Sequence, residues 1–249
     1  MNKKKLRVAE FFYSIQGEGV TTGVPAYFIR LTGCNLLCGG YGTQKDGNLH
    51  GGATWRCDTM EVWTKGRDYN DIELLGVLGT DFLENLHDGA HIVFTGGEPL
   101  MQQEGIEAFL ERVIPYCTRK PFIEVETNGT ILPSEKLFQL VDQWNISAKL
   151  SNSGMPKNKR IIEHVIGRFC AHHSSGVMFK FVVSSPTDMD EILIDYSMVP
   201  KSRIVLMPAA IDDVELKKNI IVVAELAKKH CIRMCSRMHV TIWNQLTGV

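Results

Sequence analysis

The sequence predicts an α/β fold, a partial (β/α) barrel of about six parallel strands. Segments with strand character alternate with segments of helical periodicity at least five times along the chain. This rhythm is typical of βα units joined by right-handed crossovers. Polar motifs that contain glycine follow the ends of successive predicted strands, and α/β proteins build their sites at that edge of the sheet. The number of alternating units indicates a partial barrel rather than a closed barrel of eight units.

Each strand is predicted from a short apolar run rich in β-branched or aromatic residues. The first run, residues 8–12, precedes a turn at 14–19, and the second, 26–31, leads directly into a loop with two cysteines. The other predicted strands cover residues 91–95, 122–126, 144–149, 177–183 and 203–207, and residues 232–243 are expected to hold a last strand and a closing segment.

The helices are predicted from their apolar periodicity and their capping residues. A helix from Asn70 to about residue 87 is expected to bury one face, which carries Ile72, Leu75, Leu78, Phe82 and Leu86. The other predicted helices span residues 106–116, 133–143, 158–166, 188–196 and 212–230. Residues 38–54 are rich in glycine and should form a long loop. No linker divides the chain, so residues 1–249 are predicted to form a single domain.

The composition excludes several classes of protein. A net charge of -1 gives no electrostatic footprint for general nucleic-acid binding. No apolar run reaches the roughly 18 residues of a membrane span, and the first eight residues lack the apolar core of a signal peptide. Seven cysteines are too sparse for a disulfide scaffold. We therefore expect a cytoplasmic protein with no direct nucleic-acid partner and no membrane.

Three closely placed cysteines point to metal chemistry. Cys34 and Cys38 lie in the motif GCNLLC, residues 33–38, and Cys57 follows in the motif CDT. Thiolates are the expected ligands of an iron–sulfur cubane, and three of them leave one iron open to a small molecule. The spacing also allows a structural zinc site in which His50 supplies a fourth ligand, or plain burial of the thiols. Cys231 and Cys235 repeat the spacing of Cys34 and Cys38 and could host an auxiliary cluster, but with only two thiols we prefer burial or chance, and we interpret Cys117 and Cys170 in the same way.

Further polar motifs follow the later strands. The run TGGEP, residues 95–99, offers close backbone approach at its glycines and a carboxylate, Glu98, that can accept hydrogen bonds from an ammonium group. The run ETNG at 126–129 could reach a ribose or an amide, and the run SAK at 147–149 carries a lysine that is usually solvated at a strand end. Ordinary strand-to-helix turns and capped turns explain each of these runs equally well in isolation.

Taken together, the motifs resemble the 7-carboxy-7-deazaguanine synthase family of the radical S-adenosylmethionine superfamily. The resemblance rests on FYSIQGEG at 12–19, FIRLTGCNL at 28–36, CDT at 57–59, TGGEPL at 95–100 and ETNGT at 126–130. It extends from about residue 8 to 150, with a weaker continuation to about 243. It implies a radical-SAM type of barrel and a lyase that converts 6-carboxy-5,6,7,8-tetrahydropterin to 7-carboxy-7-deazaguanine with loss of ammonia, in the biosynthesis of 7-deazaguanine (queuosine-type) compounds.

The chain departs from the family pattern in the cysteine loop. Tyr41 stands at the family's usual third-cysteine position, and the CDT motif reappears sixteen residues later, at Cys57. We interpret residues 40–56 as containing an insertion that loops out while Cys57 remains the third ligand. Such an insertion is tolerated because the entropy of loop closure grows slowly with loop length. His50 is the rival third ligand.

The resemblance implies three cofactors, namely a 4Fe–4S cluster, S-adenosylmethionine and Mg²⁺. Cys34, Cys38 and Cys57 would hold the cluster, and Thr59 would bind magnesium, which keeps much of its hydration. Without the resemblance, Thr59 is an ordinary helix cap. The residues implied for S-adenosylmethionine binding are Gly96, Gly97, Glu98, Glu126, Asn128, Ser147 and Lys149.

The substrate site implied by the resemblance contains Ile15, Gln16, Gly17, Glu18, Arg30, Thr95 and His239. Arg30 could grip the substrate carboxylate with two hydrogen bonds; its alternative role is a surface ion pair. His239 belongs to an R-M-H run that resembles the family's Gln-x-His, with Arg237 in place of the glutamine. The resemblance also implies a flavodoxin-type reductant and a homodimer.

Two other functions fit part of the pattern. Another radical S-adenosylmethionine enzyme, such as a glycyl-radical activase, shares the cysteines and Gly-Gly-Glu-Pro but leaves the QGEG run, Arg30 and Thr59 unexplained. A zinc-stabilised binding module would use the cysteines alone.

Overall fold

The computed structural model describes residues 4–41, 43, 48–172, 176–246 and 248–249. It contains a nine-stranded sheet with the strand order β3-β1-β2-β4-β5-β6-β7-β8-β9. The strands are β1 Lys5–Ile15, β2 Pro25–Leu31, β3 Arg67–Asn70, β4 His91–Gly96, β5 Ile123–Thr127, β6 Gln143–Ile146, β7 Val177–Val183, β8 Ile204–Pro208 and β9 Arg233–Met234.

All strand pairs from β2 to β9 are parallel, whereas β1 runs antiparallel to both β2 and β3. The α-helices are α1 Met60–Trp63, α2 Asp71–Leu78, α3 Asp81–His87, α4 Gln103–Val113, α5 Glu135–Leu140, α6 Lys157–Arg160, α7 Glu163–Ala171, α8 Pro186–Asp195, α9 Asp213–His230 and α10 Met238–Trp243. The mostly parallel sheet with crossover helices confirms the predicted partial barrel. No α-helix of the described part of the chain is long and apolar enough to cross a membrane.

The two faces of the sheet have different surroundings because side chains alternate along each strand. On β7, Phe179 and Phe181 are fully buried in the large core that the strands share with the helices. The intervening Lys180 points to the opposite face, where Met178 and Met207 form a smaller apolar cluster. That second face carries the polar side chains discussed below.

Several boundaries differ from the sequence prediction. The single helix predicted from Asn70 is two helices, because Gly79 ends α2 with a positive φ of 90°. Ile72 is 54% exposed and Leu74 is fully buried, so the predicted apolar face was wrong at the first turn. The predicted helix 158–166 is likewise two helices, since Ile161 and Ile162 are extended.

Some strands and the last segment were also mispredicted. Strand β3 was missed because its sequence, RDYN, carries no apolar run. Strand β1 continues to Ile15, into the predicted turn, and β6 ends at Ile146 rather than at residue 149. After the short β9, the closing segment is helix α10.

Candidate active site

A cavity of about 500 Å³ opens at the C-terminal ends of the parallel strands. It is lined by the loops that follow β1, β2, β4, β5, β6 and β8, by residues of β7 and by the C-terminal segment. Every residue predicted for the site except Glu98 lies on its wall, namely Ile15, Gln16, Gly17, Glu18, Arg30, Cys34, Cys38, Cys57, Thr59, Thr95, Gly96, Gly97, Glu126, Asn128, Ser147, Lys149 and His239. The ligand that each residue binds remains a prediction.

The cysteine loop begins where β2 ends, and a backbone hydrogen bond closes it. The Cys57 amide donates to the Cys38 carbonyl over 3.1 Å, which places the third cysteine beside the second despite the long intervening segment. His50, the rival ligand, is exposed and is not among the cavity-lining residues. Cys57 therefore lines the cavity together with Cys34 and Cys38, whereas His50 does not.

Burial keeps the thiols of Cys34 and Cys38 protonated in the absence of a cation. It raises the pKa of Cys34 to about 12 and that of Cys38 to about 11, although the charge of Lys149 opposes both shifts. A bound metal must therefore displace these protons. Among the described residues, no three His, Cys, Asp or Glu side chains lie close enough together to hold a single ion. A cubane carries its thiolates on separate irons and does not require three side chains around one ion.

Backbone packing places the glycine motif against the cysteine loop. The Gly97 amide donates to the Leu31 carbonyl over 3.2 Å, and the Glu98 amide donates to the Gly33 carbonyl over 2.7 Å. A Cβ atom added to Gly97 would lie 1.9 Å from the Gly33 oxygen. Glycine is therefore required at this position for steric reasons.

Glu98 is fully buried behind the cavity wall rather than on it. Its carboxylate accepts hydrogen bonds from the Leu100 amide at 3.0 Å, the Thr127 hydroxyl at 2.8 Å and the Asn128 amide at 2.7 Å. Burial raises the pKa of Glu98 although all three hydrogen bonds favour the carboxylate. In this position Glu98 ties the end of β4 to the turn after β5, which holds Asn128 at the wall.

Arg30, on β2, is a partly engaged arginine of the cavity wall. Arg30 donates from Nε to Glu10 Oε1 over 2.7 Å, and its guanidinium lies 5.9 Å from the centroid of the Phe12 ring. The ion pair considered as an alternative role therefore exists, yet Arg30 still lines the cavity. Nearby, Glu126 accepts hydrogen bonds from the Thr95 hydroxyl at 2.7 Å and from Gln16 Nε2 at 3.3 Å.

A buried charge network next to Glu18 was missed by the sequence analysis. Glu18 pairs with Lys180 and, over 2.9 Å, with Arg237 Nε. Arg237 Nη2 also contacts Asp58 Oδ2 at 2.6 Å, and His239 lies 3.8 Å from Glu18. A lysine between phenylalanines in a buried strand was the signal in the sequence that could have revealed this network.

Electrostatics keep the network ionised. Burial alone would raise the pKa of Glu18, but the charges of Lys180 and Arg237 outweigh it and hold that pKa well below its ordinary value. Burial would lower the pKa of Lys180, and the charge of Glu18 raises it instead. The pKa of Asp58 is lowered in the same way, since burial is outweighed by Arg237, with a smaller contribution from Arg30. Burial lowers the pKa of His239.

The described part of the insertion folds back onto the molecule rather than looping out as predicted. The Thr54 amide donates to the Asn152 carbonyl over 2.9 Å, and Trp55 Nε1 donates to Asn152 Oδ1 over 2.9 Å. Lys149 Nζ lies 5.7 Å from the centroid of the Trp55 ring. Residues 42 and 44–47 of the predicted insertion lie outside the described residues. Trp55 lines the cavity, so the described part of the insertion contributes an aromatic side chain to the cavity wall.

The other cysteines are separate from the cavity. Cys235 is buried as predicted, and Cys117 and Cys170 are partly buried, but Cys231 is exposed. Cys231 ends helix α9 in a left-handed conformation, and its exposure leaves chance rather than burial as the explanation of its spacing from Cys235.

The parallel sheet and the cavity beside its three-cysteine loop define an α/β enzyme of the partial-barrel type. The crystal structure of QueE from Escherichia coli has this fold, with a TM-score of 0.64 over 94% of this chain and 95% of that chain at 21% sequence identity. No family model matches the sequence.

Similar sequences identify the family. The 7-carboxy-7-deazaguanine synthase of Pyrobaculum aerophilum is 32% identical over 252 residues, which cover 98% of this chain and 97% of the relative. The enzyme of the same name from Halobacterium salinarum is 30% identical over 265 residues, which cover 96% and 91%. The chain therefore belongs to the 7-carboxy-7-deazaguanine synthase family, which confirms the resemblance seen in the sequence.

We predict that Gly97→Ala destabilises the protein by at least about 2 kcal/mol, because the added methyl group overlaps the Gly33 carbonyl and the backbone has to move. Urea unfolding of the metal-free, reduced protein measures the loss. Gly167→Ala is the control, since that glycine lies within α7 with nothing within 4 Å of the added Cβ atom. This control should stabilise the protein by roughly 0.5–1 kcal/mol. Equal effects of the two variants would contradict the steric argument.

We predict that Lys180→Met lowers the free energy of unfolding by about 3 kcal/mol at neutral pH, because it removes one partner of a buried ion pair. The depressed pKa of Glu18 contributes stability above its unfolded value of about 4.3, and this contribution disappears as the pH falls through the folded pKa. The deficit of the variant should therefore shrink in acid below about pH 4.

Unfolding curves recorded from neutral to acid pH measure this change. Lys228→Met is the matched control, because Lys228 and Glu225 form an exposed pair whose loss should have no measurable effect. A deficit of Lys180→Met that stays constant with pH would show that the ion pair is not its cause.

Proposed function

We propose that the protein converts 6-carboxy-5,6,7,8-tetrahydropterin to 7-carboxy-7-deazaguanine with loss of ammonia, as a lyase in the biosynthesis of 7-deazaguanine (queuosine-type) compounds. Membership of the 7-carboxy-7-deazaguanine synthase family supports this product. The observation that carries the assignment of residues is the shared cavity, because the three cysteines and Arg30 line the same space. A cluster and a small carboxylate ligand can therefore meet there.

The residues present fit a 4Fe–4S cluster and S-adenosylmethionine. Cys34, Cys38 and Cys57 would hold the cluster and leave one of its irons without a protein ligand. When bound, these groups would supply one-electron radical chemistry for removal of a hydrogen atom from C6 of the pterin. The protein's own part is to bind and orient the reactants and to keep water away from them.

We assign the cofactor end of the cavity to the strand ends after β4, β5 and β6. Gly96 and Gly97 expose backbone groups there, and the Lys149 ammonium is held by the Ser147 hydroxyl at 2.8 Å. Lysine can pair with the carboxylate of S-adenosylmethionine. Glu126 and Asn128 would contact its polar groups, and Glu98 would act from behind by holding the Asn128 amide at 2.7 Å.

We assign the other end to the pterin. Arg30 keeps its terminal nitrogens for the substrate carboxylate, because Glu10 takes the Nε hydrogen. The ionised Glu18 can accept hydrogen bonds from ring nitrogens and amino groups, assisted by Gln16 and His239. Thr59, whose hydroxyl lies 3.6 Å from the Cys57 sulfur, would supply the magnesium ligand beside the cluster. Ile15, Gly17 and Thr95 complete this end.

The remaining features of the proposal concern assembly. We propose a single radical-SAM domain over residues 1–249, supported by the one sheet that includes strands from both ends of the chain. The electron would come from a flavodoxin-type reductant. We further propose a homodimer located in the cytoplasm.

Anaerobic turnover of the reconstituted protein with the carboxypterin, S-adenosylmethionine and a reductant tests the proposed function. We expect 7-carboxy-7-deazaguanine and ammonia, formed faster with Mg²⁺ than without it. Absence of the deazaguanine product from a protein loaded with about four iron atoms per chain would refute the assignment. One zinc per chain and no iron would instead indicate the binding module.

We predict that Cys57→Ala abolishes loading of the cluster, whereas His50→Ala retains it. The reason is that Cys57 lines the cavity beside Cys38, while His50 is exposed outside it. Iron content and the visible absorption of the reconstituted variants measure the difference. Retention of iron by Cys57→Ala together with its loss in His50→Ala would reassign the third ligand.

A further inference from the structure

The insertion of the cysteine loop and the stretch that follows β6 are packed against each other. The Thr54 amide donates to the Asn152 carbonyl over 2.9 Å. A Cβ atom added to Gly51 would lie 2.3 Å from the Gly154 oxygen, so the two backbones are in direct contact. Lys149 lies on the same stretch after β6, three residues before Asn152. This contact therefore brings the end of the insertion next to the strand end that carries Lys149.

The indole of Trp55, at the end of the insertion, is oriented by one buried amide. Trp55 Nε1 donates to Asn152 Oδ1 over 2.9 Å. Asn152 is 6% exposed, and its Nδ2 donates to the Val182 carbonyl at 3.1 Å and to Asp188 Oδ1 at 3.0 Å. Both hydrogens of this amide nitrogen are therefore used, and the amide oxygen is directed at the indole. The orientation of the Trp55 ring is thus fixed by β7 and α8.

Two neutral groups contact the ammonium of Lys149 at the cavity wall. Its Nζ donates to the Ser147 hydroxyl over 2.8 Å and lies over the Trp55 ring, 5.7 Å from the ring centroid. An ammonium within about 6 Å of an indole face is attracted by the charge distribution of the ring. Because both groups are neutral, they orient the ammonium without neutralising its charge. Lys149 and Trp55 both line the cavity, so the charge is available to a ligand there.

We propose that Trp55 is a positioning residue, which holds the ammonium of Lys149 in place for the carboxylate of S-adenosylmethionine. This inference rests on the proposed function, because that function assigns the carboxylate to Lys149. A lysine side chain has many rotamers in water, and a site that already holds it in one place loses less entropy on binding. The inference also gives a role to the insertion at which this chain departs from the family pattern.

The proposal requires that Trp55 acts through Lys149 and not by contact with the ligand. Two compounds separate these cases, because S-adenosylhomocysteine carries the amino-acid carboxylate and 5′-methylthioadenosine has the same adenosine and sulfur but no carboxylate. Loss of the indole should lower the affinity for the first compound and leave the second unaffected. In a chain without the Lys149 ammonium, the indole has nothing to position, and its loss should then have no effect on either compound.

Calorimetric titrations of the anaerobic, reconstituted full-length protein with these two compounds test the proposal, after the iron content of each variant has been measured. Trp55→Leu should weaken S-adenosylhomocysteine binding by about three- to tenfold and change 5′-methylthioadenosine binding by less than about twofold. Adding Trp55→Leu to Lys149→Met should cause no further loss. Trp55→Phe keeps an aromatic face and should show a smaller loss than Trp55→Leu. It also provides the test if Trp55→Leu does not take up iron.

Trp243→Leu is the matched control. Trp243 is half-buried, as Trp55 is, but it belongs to α10 and is not among the residues that line the cavity. This variant removes the same side chain from the protein and should leave the affinity for both compounds unchanged, even if its stability falls.

The failures of the two proposals are distinguishable. A wild-type protein that binds neither compound, or a Lys149→Met variant that binds S-adenosylhomocysteine as tightly as wild type, refutes the assignment of the cofactor end in the proposed function. If Lys149→Met does weaken that binding, three results overturn the role of Trp55 alone. These are an unchanged affinity in Trp55→Leu, an equal loss for both compounds, and the same loss with and without Lys149. Loss of iron from both Trp55 variants would overturn it as well, because Trp55 would then serve the cysteine loop instead.

Discussion

The site depends on the close contact between two strand ends, β2 with its cysteine loop and β4 with its glycine motif. The hydrogen bond from the Glu98 amide to the Gly33 carbonyl, 2.7 Å long, sets the distance between them. Only a residue without a side chain fits at Gly97. Glu98 then extends the same connection to β5 through the Asn128 amide. A backbone hydrogen bond and the buried Glu98 carboxylate thus fix three neighbouring strand ends, and these positions determine where the side chains meet in the cavity.

The sequence predicted which motifs line the cavity, but it did not predict the buried ion pairs beside them. Motifs placed directly after strands could be assigned to one sheet edge, because parallel strands all end there. Lys180 and Asp58 were overlooked because their partners lie 162 and 179 residues away in the sequence. Such pairs arise only when the sheet brings the chain termini together, and no local pattern encodes them.

Secondary structure was likewise predicted correctly where the local sequence determines it and missed where a distant segment of the chain does. The strand over residues 177–183 was predicted with its observed bounds, since its alternation of buried phenylalanines is a local signal. Strand β3 was not predicted, because its pairing with β1 rather than its own composition makes it a strand. The break between α2 and α3 depends on the backbone conformation of Gly79, although a glycine in a helical pattern is ambiguous on its own.

The backbone bond between Cys57 and Cys38 has a consequence for how this part of the chain can vary. The segment between them is closed at its base, and the Gly39 amide and the Thr54 amide anchor it again on the carbonyls of Ser153 and Asn152, both at 2.9 Å. An insertion or deletion between Gly39 and Thr54 does not have to shift the strands of the sheet. Related proteins could therefore carry longer or shorter segments between these anchors while Cys38 and Cys57 keep their positions.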